Sequence, residues 1–219
     1  MEKSKWIWKS STYSRDEYVE FRDYFELDEN NATLYIAAET DYIAYVNGQR
    51  ASFNSFAGYR EEKYFDTLDI GKYCRIGQNE LSITVRYEGV NSATHIDDGA
   101  GLIFEIKSGC ETVCFSSEKT LCRKDERYIN GLNRHITGQL GLSSGMKNEE
   151  SGDFSNSIET GRKCSLYPRP VKKLIECEKN KGVLLNVPGR IIYDLGKEDA
   201  GYLYLDVDCK SDCSLQVAY

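Results

Sequence analysis

The stretch EGVNSATHIDDGAG, residues 88–101, sets an imidazole at His95 beside carboxylates at Asp97 and Asp98. Such groups can accept hydrogen bonds from a sugar hydroxyl or ligate a calcium ion. Two adjacent carboxylates without the spacing of a calcium loop, and without a further Glu, also fit an ordinary solvated turn. The neighbouring Asn91, Ser92 and Thr94 do not alter that balance. Trp6 and Trp8 lie two residues apart, so on a strand they share a face and could stack on a pyranose ring. Core or interdomain packing is the competing use of the same indoles. His135 has no companion ligand nearby, and Lys147-Asn148-Glu149-Glu150 reads as a solvated loop.

The eight cysteines form no metal pattern. Cys110 and Cys114, like Cys209 and Cys213, are four apart, which is neither a zinc-knuckle gap nor a thioredoxin-type pair. On a strand that spacing puts both sulfurs on one face, as packing residues. Cys74, Cys122, Cys164 and Cys177 show no partner pattern, and without a signal peptide the thiols read as reduced. No cofactor and no metal is expected.

The elements that must position these residues are strands. Sixteen tyrosines and eight phenylalanines against three prolines, with eighteen glycines as punctuation, suit an antiparallel β protein. VEFRDYFELD alternates and ends in DENN. ATLYIAAETDYIAYVNGQR supplies two more runs, closed by the turn pair Asn47-Gly48. Residues 61–70 give a further strand. IGQNELSITVRYEG then places Leu81, Ile83 and Val85 on one face, and GAGLIFEIKSG with ETVCFSSEKT makes a hairpin. This is the pattern of a β-sandwich over residues 1–124, with Leu34, Ile36, Val46, Leu81, Ile83, Val85 and Phe104 inside. Spacing alone leaves an immunoglobulin-like sandwich and a jelly roll both open, because they differ in connection order.

Residues 125–170 lose any period. Gly, Ser and Asn dominate there, and the segment reads as a connector that wraps a surface or joins two domains. Tyr167-Pro168-Arg169-Pro170 stiffens the chain before residues 171–219, which read as the start of a second, incomplete β domain. Its strands are expected around Ile191 to Leu195, Tyr202 to Val207 and Ser214 to Val217. Leu203, Leu205, Val207, Leu215 and Val217 would then be partly exposed along an open, adhesive edge.

A net charge of −7 argues against nucleic acid or an anionic membrane as a partner. The N-terminal residues lack the apolar core of a signal peptide, and no stretch approaches the roughly eighteen apolar residues of a membrane span. A cytoplasmic location is the expectation.

Trp6-Ile7-Trp8, Phe21-Arg22, DYIAYVNG at 41–48, Asp69-Ile70 and GQNELSITV, taken in order, resemble the N-terminal β-sandwich of bacterial α-L-rhamnosidases of glycoside hydrolase family 78. TGQLGL, YPRPV and IIYDLGKEDAGYLYLDV look like the connector and second β domain of that family. The resemblance implies an all-β chain, a jelly-roll-like (galactose-binding-domain-like) antiparallel sandwich followed by a partial second β domain. It also implies a missing C-terminal catalytic barrel, where two glutamates serve an inverting hydrolysis of terminal α-L-rhamnosides. No catalytic residue maps onto this chain.

Three function classes follow. The chain is a noncatalytic scaffold or carbohydrate-binding-like portion of such a glycosidase, a free-standing carbohydrate-binding module, or a purely structural interaction sandwich. Carbohydrate is the candidate ligand, with Trp6, Trp8, His95, Asp97 and Asp98 as candidate contacts. Alone, the chain is expected to hydrolyse no rhamnoside.

Overall fold

The computed structural model describes all residues except 94, 134, 138–140, 175–177, 199–200, 202, 213 and 215–219; at 135–137 and 141 it describes the backbone alone. Contacts divide the chain into two units, Met1–Lys172 and Lys173–Tyr219.

The first unit opens with β1 (Ile7–Trp8), β2 (Glu17–Leu27), β3 (Thr33–Glu39), β4 (Asp41–Val46), β5 (Gln49–Phe53) and β6 (Glu62–Asp69). After a 3₁₀ turn at Gly71–Tyr73 come β7 (Gly77–Tyr87), β8 (Gly101–Ser108), β9 (Glu111–Phe115) and β10 (Leu121–Lys124). The alternating apolar residues of the sequence are what these strands bury. Two short strands, β11 (His135–Thr137) and β12 (Gly141–Leu142), pair with each other. β13 (Ser155–Asn156), β14 (Ile158–Glu159) and β15 (Ser165–Pro168) complete the unit.

One sheet runs β14-β1-β8-β3-β6-β15, with β9 also paired to β8; the other runs β13-β10-β2-β7-β4-β5. Consecutive long strands change sheets: β2 lies in the second, β3 in the first, β4 in the second, β6 in the first, β7 in the second and β8 in the first. That connection habit is jelly-roll-like and closes the choice that spacing left open. It also shows that β3 and β4, adjacent in sequence, do not form a hairpin. The hairpin is β4-β5, where Asn47 and Gly48 both take positive φ, +50° and +76°. This is the requirement of a type I′ turn, met at little cost by Asn-Gly.

Between the sheets lies one apolar core. Leu34, Ile36 and Phe104 from the first sheet meet Val46, Leu81, Ile83 and Val85 from the second, each with at most 1% of its surface exposed. Each such side chain contributes on the order of 1.5–3 kcal/mol by leaving water. A smaller cluster of Trp6, Ala37 and Ile103 covers the outer face of the first sheet, with Phe65, Cys164 and Leu166 packed against it. β3 and β8 are therefore apolar on both faces.

Residues 125–168 add β13, β14 and β15 to the sheet edges. Beside Leu166 of β15, which packs on the Trp6 cluster, they are held by polar pins. Fully buried Asp125 accepts hydrogen bonds from Thr84 (3.1 Å) and Arg127 (2.7 and 2.8 Å). Asn130 accepts from the Tyr18 amide at 2.7 Å, and Ser157 donates to the Thr120 carbonyl at 2.7 Å. Phe154 lies between the guanidinium groups of Arg22 and Arg123, 4.5 and 4.3 Å from its ring centre. β15 joins β6 in parallel as an edge strand, a position that tolerates Pro168.

Cys110 sits exposed in the β8-β9 turn while Cys114 is buried in β9, so the expected shared face does not form. The i, i+4 argument requires both residues on one strand, and Cys110 precedes it. Cys74, Cys110, Cys114, Cys122, Cys164 and Cys209 are free thiols; Cys177 and Cys213 lie outside the described residues.

The second unit contains β16 (Val183–Val187) and β17 (Arg190–Asp194), an antiparallel hairpin. Ile191 and Tyr193 are on a strand as expected. Leu203, Leu205 and Val207 are not, and they are 55%, 48% and 54% exposed. Alternation there finds no hydrogen-bonding neighbour among the described residues, and a pattern without a partner strand does not make a sheet. Tyr202, Leu215 and Val217 lie outside the described residues. No helix among the described residues is long and apolar enough to cross a membrane.

Candidate functional site at the loop end of the sandwich

The jelly-roll order brings several connections to one end of the sandwich: residues 9–16, the corner from β3 to β4, residues 54–61, residues 88–100 and residues 160–164. Loops on a rigid double sheet are where binding residues can be both exposed and positioned.

Beneath them lies a buried charge cluster. Glu39 ends β3, and its carboxylate pairs with Lys63 of β6 and with Arg162 at 3.2 Å. Asp98 stands 3.7 Å from the Lys63 ammonium and 3.9 Å from Arg162. Arg162 also donates to the Asp98 carbonyl at 2.6 Å, and its guanidinium lies 4.8 Å from the Trp6 ring centre. The side chains of Glu39, Lys63 and Arg162 are at most 8% exposed. Charges that deep persist only when matched, and here two carboxylates face two cations. The Glu39 Oε2, Lys63 Nζ and Arg162 Nη1 atoms lack well-aligned hydrogen bonds, so the cluster holds by charge more than by directed bonds.

His95, Asp97 and Asp98 separate within this end. His95 is buried, with Nε2 3.3 Å from the Thr40 hydroxyl and 3.7 Å from Glu39. The Asp97 carboxylate accepts a 2.8 Å hydrogen bond from the Tyr87 hydroxyl, and the Asp97 backbone N–H donates to the Asn91 side-chain oxygen at 2.8 Å. Burial, reinforced by Asp97, raises the Tyr87 hydroxyl well above the ordinary phenol range. Asp98 belongs to the charge cluster. The three side chains thus have separate partners and do not converge on a shared point. Among the described residues no group of three His, Cys, Asp or Glu side chains is arranged to hold a metal ion.

The two tryptophans part company as well. Trp8 is fully buried in the main core against Phe21 and Tyr87, and its indole N–H donates to Glu17 at 3.2 Å. Trp6, 6% exposed, belongs to the outer cluster under Arg162. They lie on opposite faces of the first sheet, and neither offers a ring to solvent. β1 is only two residues long, with Trp6 just before it, so the strict two-residue periodicity does not extend to Trp6. His135 is described by its backbone only, opposite Leu142.

Two clefts open at this end. One, of about 420 Å³, is lined by Tyr13, Arg60, Glu61, Asp98, Arg162 and Lys163 among others. The second, of about 380 Å³, has Thr40, Asp41, Phe56, Arg86, Glu88 and His95 in its wall. Arg86 is anchored by Asp16 at 3.0 Å and by the Leu142 and Ser143 carbonyls at 2.9 and 3.0 Å. Sequence reasoning reached His95 and Asp98 but missed Glu39, Lys63, Arg86 and Arg162. Lys63 follows Glu61 and Glu62 in a charged run and Glu39 closes TLYIAAE, so neither stands out in the sequence.

No family model and no curated protein matches the chain. Among solved structures it is similar to the GH78 family rhamnosidase of Bacillus sp. GL1, at 23% identity and a TM-score of 0.71. The match covers 78% of this chain and 20% of that one. The chain shares its fold with about a fifth of a rhamnosidase. The α-L-rhamnosidase from Dictyoglumus thermophilum gives the same picture, at 20% identity and a TM-score of 0.54, over 77% of this chain and 22% of that one. The chain therefore spans about a fifth of the length of each of these proteins.

Proposed function

We propose that the chain is the noncatalytic β-sandwich portion of an α-L-rhamnosidase-like glycoside hydrolase, serving as scaffold and as a sugar-contacting loop end. The observation that carries this reading is the fold match over 78% of the chain to only 20% of a rhamnosidase. In this reading a catalytic domain outside the chain hydrolyses terminal α-L-rhamnosides with inversion. Such hydrolysis takes two carboxyls roughly 6.5–9.5 Å apart with room for water between them. His95 and Asp98, which line the two clefts, and Asp97 beside them are the proposed sugar-side residues; the burial of Trp6 and Trp8 supports packing for both. The clefts also favour a second reading, a free-standing carbohydrate-binding module.

The test is incubation of the purified chain with p-nitrophenyl α-L-rhamnopyranoside. No release of nitrophenol above buffer is expected. Turnover that copurifies with the chain and is abolished in Asp98→Asn would overturn the proposal.

A further inference from the structure

We infer that the cleft between Tyr13, Arg60, Glu61 and Lys163 binds an acidic pyranose, a sugar ring that carries a carboxylate. This rests on the sugar-contacting reading above and narrows it to one cleft and one ligand chemistry. The cleft's volume of about 420 Å³ falls in the range of roughly 300–1,000 Å³ usual for small-ligand sites.

Its charge selects the ligand. On the floor, Asp98 and Arg162 are spoken for by the buried cluster, where Glu39 and Asp98 balance Lys63 and Arg162. At the rim, Arg60 makes one long bond, 3.4 Å, to the Asp97 carbonyl. The Lys163 and Glu61 side chains have no hydrogen-bond or ion-pair partner among the described residues, although all three residues line the cleft. Two cations against one carboxylate leave the rim with one net positive charge, on a chain whose total is −7. A local reversal of sign at a concave surface concentrates anions there.

Its shape selects a ring. Tyr13 is 48% exposed and stands edge-on to Tyr87, ring centres 5.2 Å apart at 82°, so the tyrosine is braced while much of its ring remains accessible for the apolar face of a pyranose. Gly99, at φ +82°, lies directly under the Tyr13 hydroxyl; a Cβ there would come within 2.7 Å of that oxygen. The glycine is thus what allows the ring to lie against the cleft wall. Glu61 then accepts from sugar hydroxyls, while Arg60 and Lys163 take the carboxylate.

The experiment is a titration of the isotopically labelled full chain with D-glucuronate, D-glucose and acetate, followed by amide chemical shifts. D-Glucuronate is expected to move the amides of residues 13, 60–61, 99 and 160–163, with at least tenfold tighter binding than D-glucose or acetate. Combined R60A and K163A substitution should weaken D-glucuronate at least tenfold and leave D-glucose unchanged; Y13A should weaken both sugars. A K119A control, in a turn away from this cleft, should bind as the parent does, and all variants should melt with it. Equal affinity for D-glucuronate and D-glucose, or undiminished D-glucuronate binding by the double variant, overturns the inference. Shifts from D-glucose around Thr40, Glu88 and His95 alone would overturn it while leaving the sugar-contacting reading intact. Silence with every sugar would refute both, leaving only the scaffold role.

Discussion

Residues 17–124 and residues 183–207 carry the same two-residue apolar alternation, and it leads to opposite outcomes. In the first region the apolar residues of β2, β3, β7 and β8 are buried almost completely. In the second, Val183, Leu184, Ile191 and Leu203 are 67%, 60%, 77% and 55% exposed. Alternation specifies a strand with one apolar face; a second layer is what turns that face into a core. The sandwich has two sheets to close on each other, whereas a lone two-stranded hairpin has none of its own.

That contrast is sharpest under truncation of matched apolar side chains. Phe21→Ala should lower stability by about 3–5 kcal/mol, because it leaves a cavity between packed sheets. Leu203→Ala should stay within about 0.5 kcal/mol, as an exposed site does. Urea unfolding of both variants checks this, and similar losses would break the comparison.

A smaller effect probes the polar pins that tie residues 125–168 to the sandwich. Burial acts to raise the Asp125 carboxyl, but the hydrogen bonds and charge of Arg127 outweigh it and hold the group below the usual carboxylate range. A depressed folded-state pKa gives stability that is complete above the unfolded value of about 3.9 and is lost as pH falls through the folded value. Asp125→Asn should therefore cost on the order of 1–2 kcal/mol at neutral pH, because Arg127 loses its shortest ion pair but, half exposed, keeps water and Glu20 at 3.6 Å. The gap between parent and variant should be flat from about pH 5 to 8 and shrink below about pH 4. A gap that widens on acidification would contradict the assignment.

The smallest contrast lies in two turns. Gly48 and Gly189 adopt nearly the same positive φ, +76° and +75°, with open space where a Cβ would go. Gly48→Ala should cost about 1 kcal/mol of global stability, the strain of a left-handed backbone. Gly189→Ala meets the same strain in a hairpin outside the sandwich, so the main unfolding transition should not move.

Much of the sandwich was legible because it obeys local rules. The Asn47-Gly48 turn and the inward positions Leu34, Ile36, Val46, Leu81, Ile83, Val85 and Phe104 follow from alternation and turn chemistry alone. The strands β13 to β15 were not legible. The segment that carries them is held by hydrogen bonds between Ser157, Asn130 and Asp125 and distant parts of the chain, and such partners leave no periodic mark. The buried charge cluster was half legible. His95 and Asp98 stood out as chemistry-bearing residues in a glycine-rich loop, but Lys63 and Arg162 acquire their meaning only when β3, β6 and residue 162 meet. Trp6 and Trp8 both pack, the use that competed with stacking on a sugar, but they do not share a face, because the two-residue rule assumes a strand through both and β1 starts after Trp6.

Native-state hydrogen exchange on the full chain tests the central claim most directly, that the stability of the double-sheet sandwich comes from the closure of one layer on the other. The account predicts that amides of Ile36, Ala44, Ile83, Val85 and Phe104 exchange only through global unfolding, while those of Val183 to Val187 and Arg190 to Asp194 exchange orders of magnitude faster. Equal protection in the two regions, surviving when the sandwich is destabilised by Phe21→Ala, would contradict it.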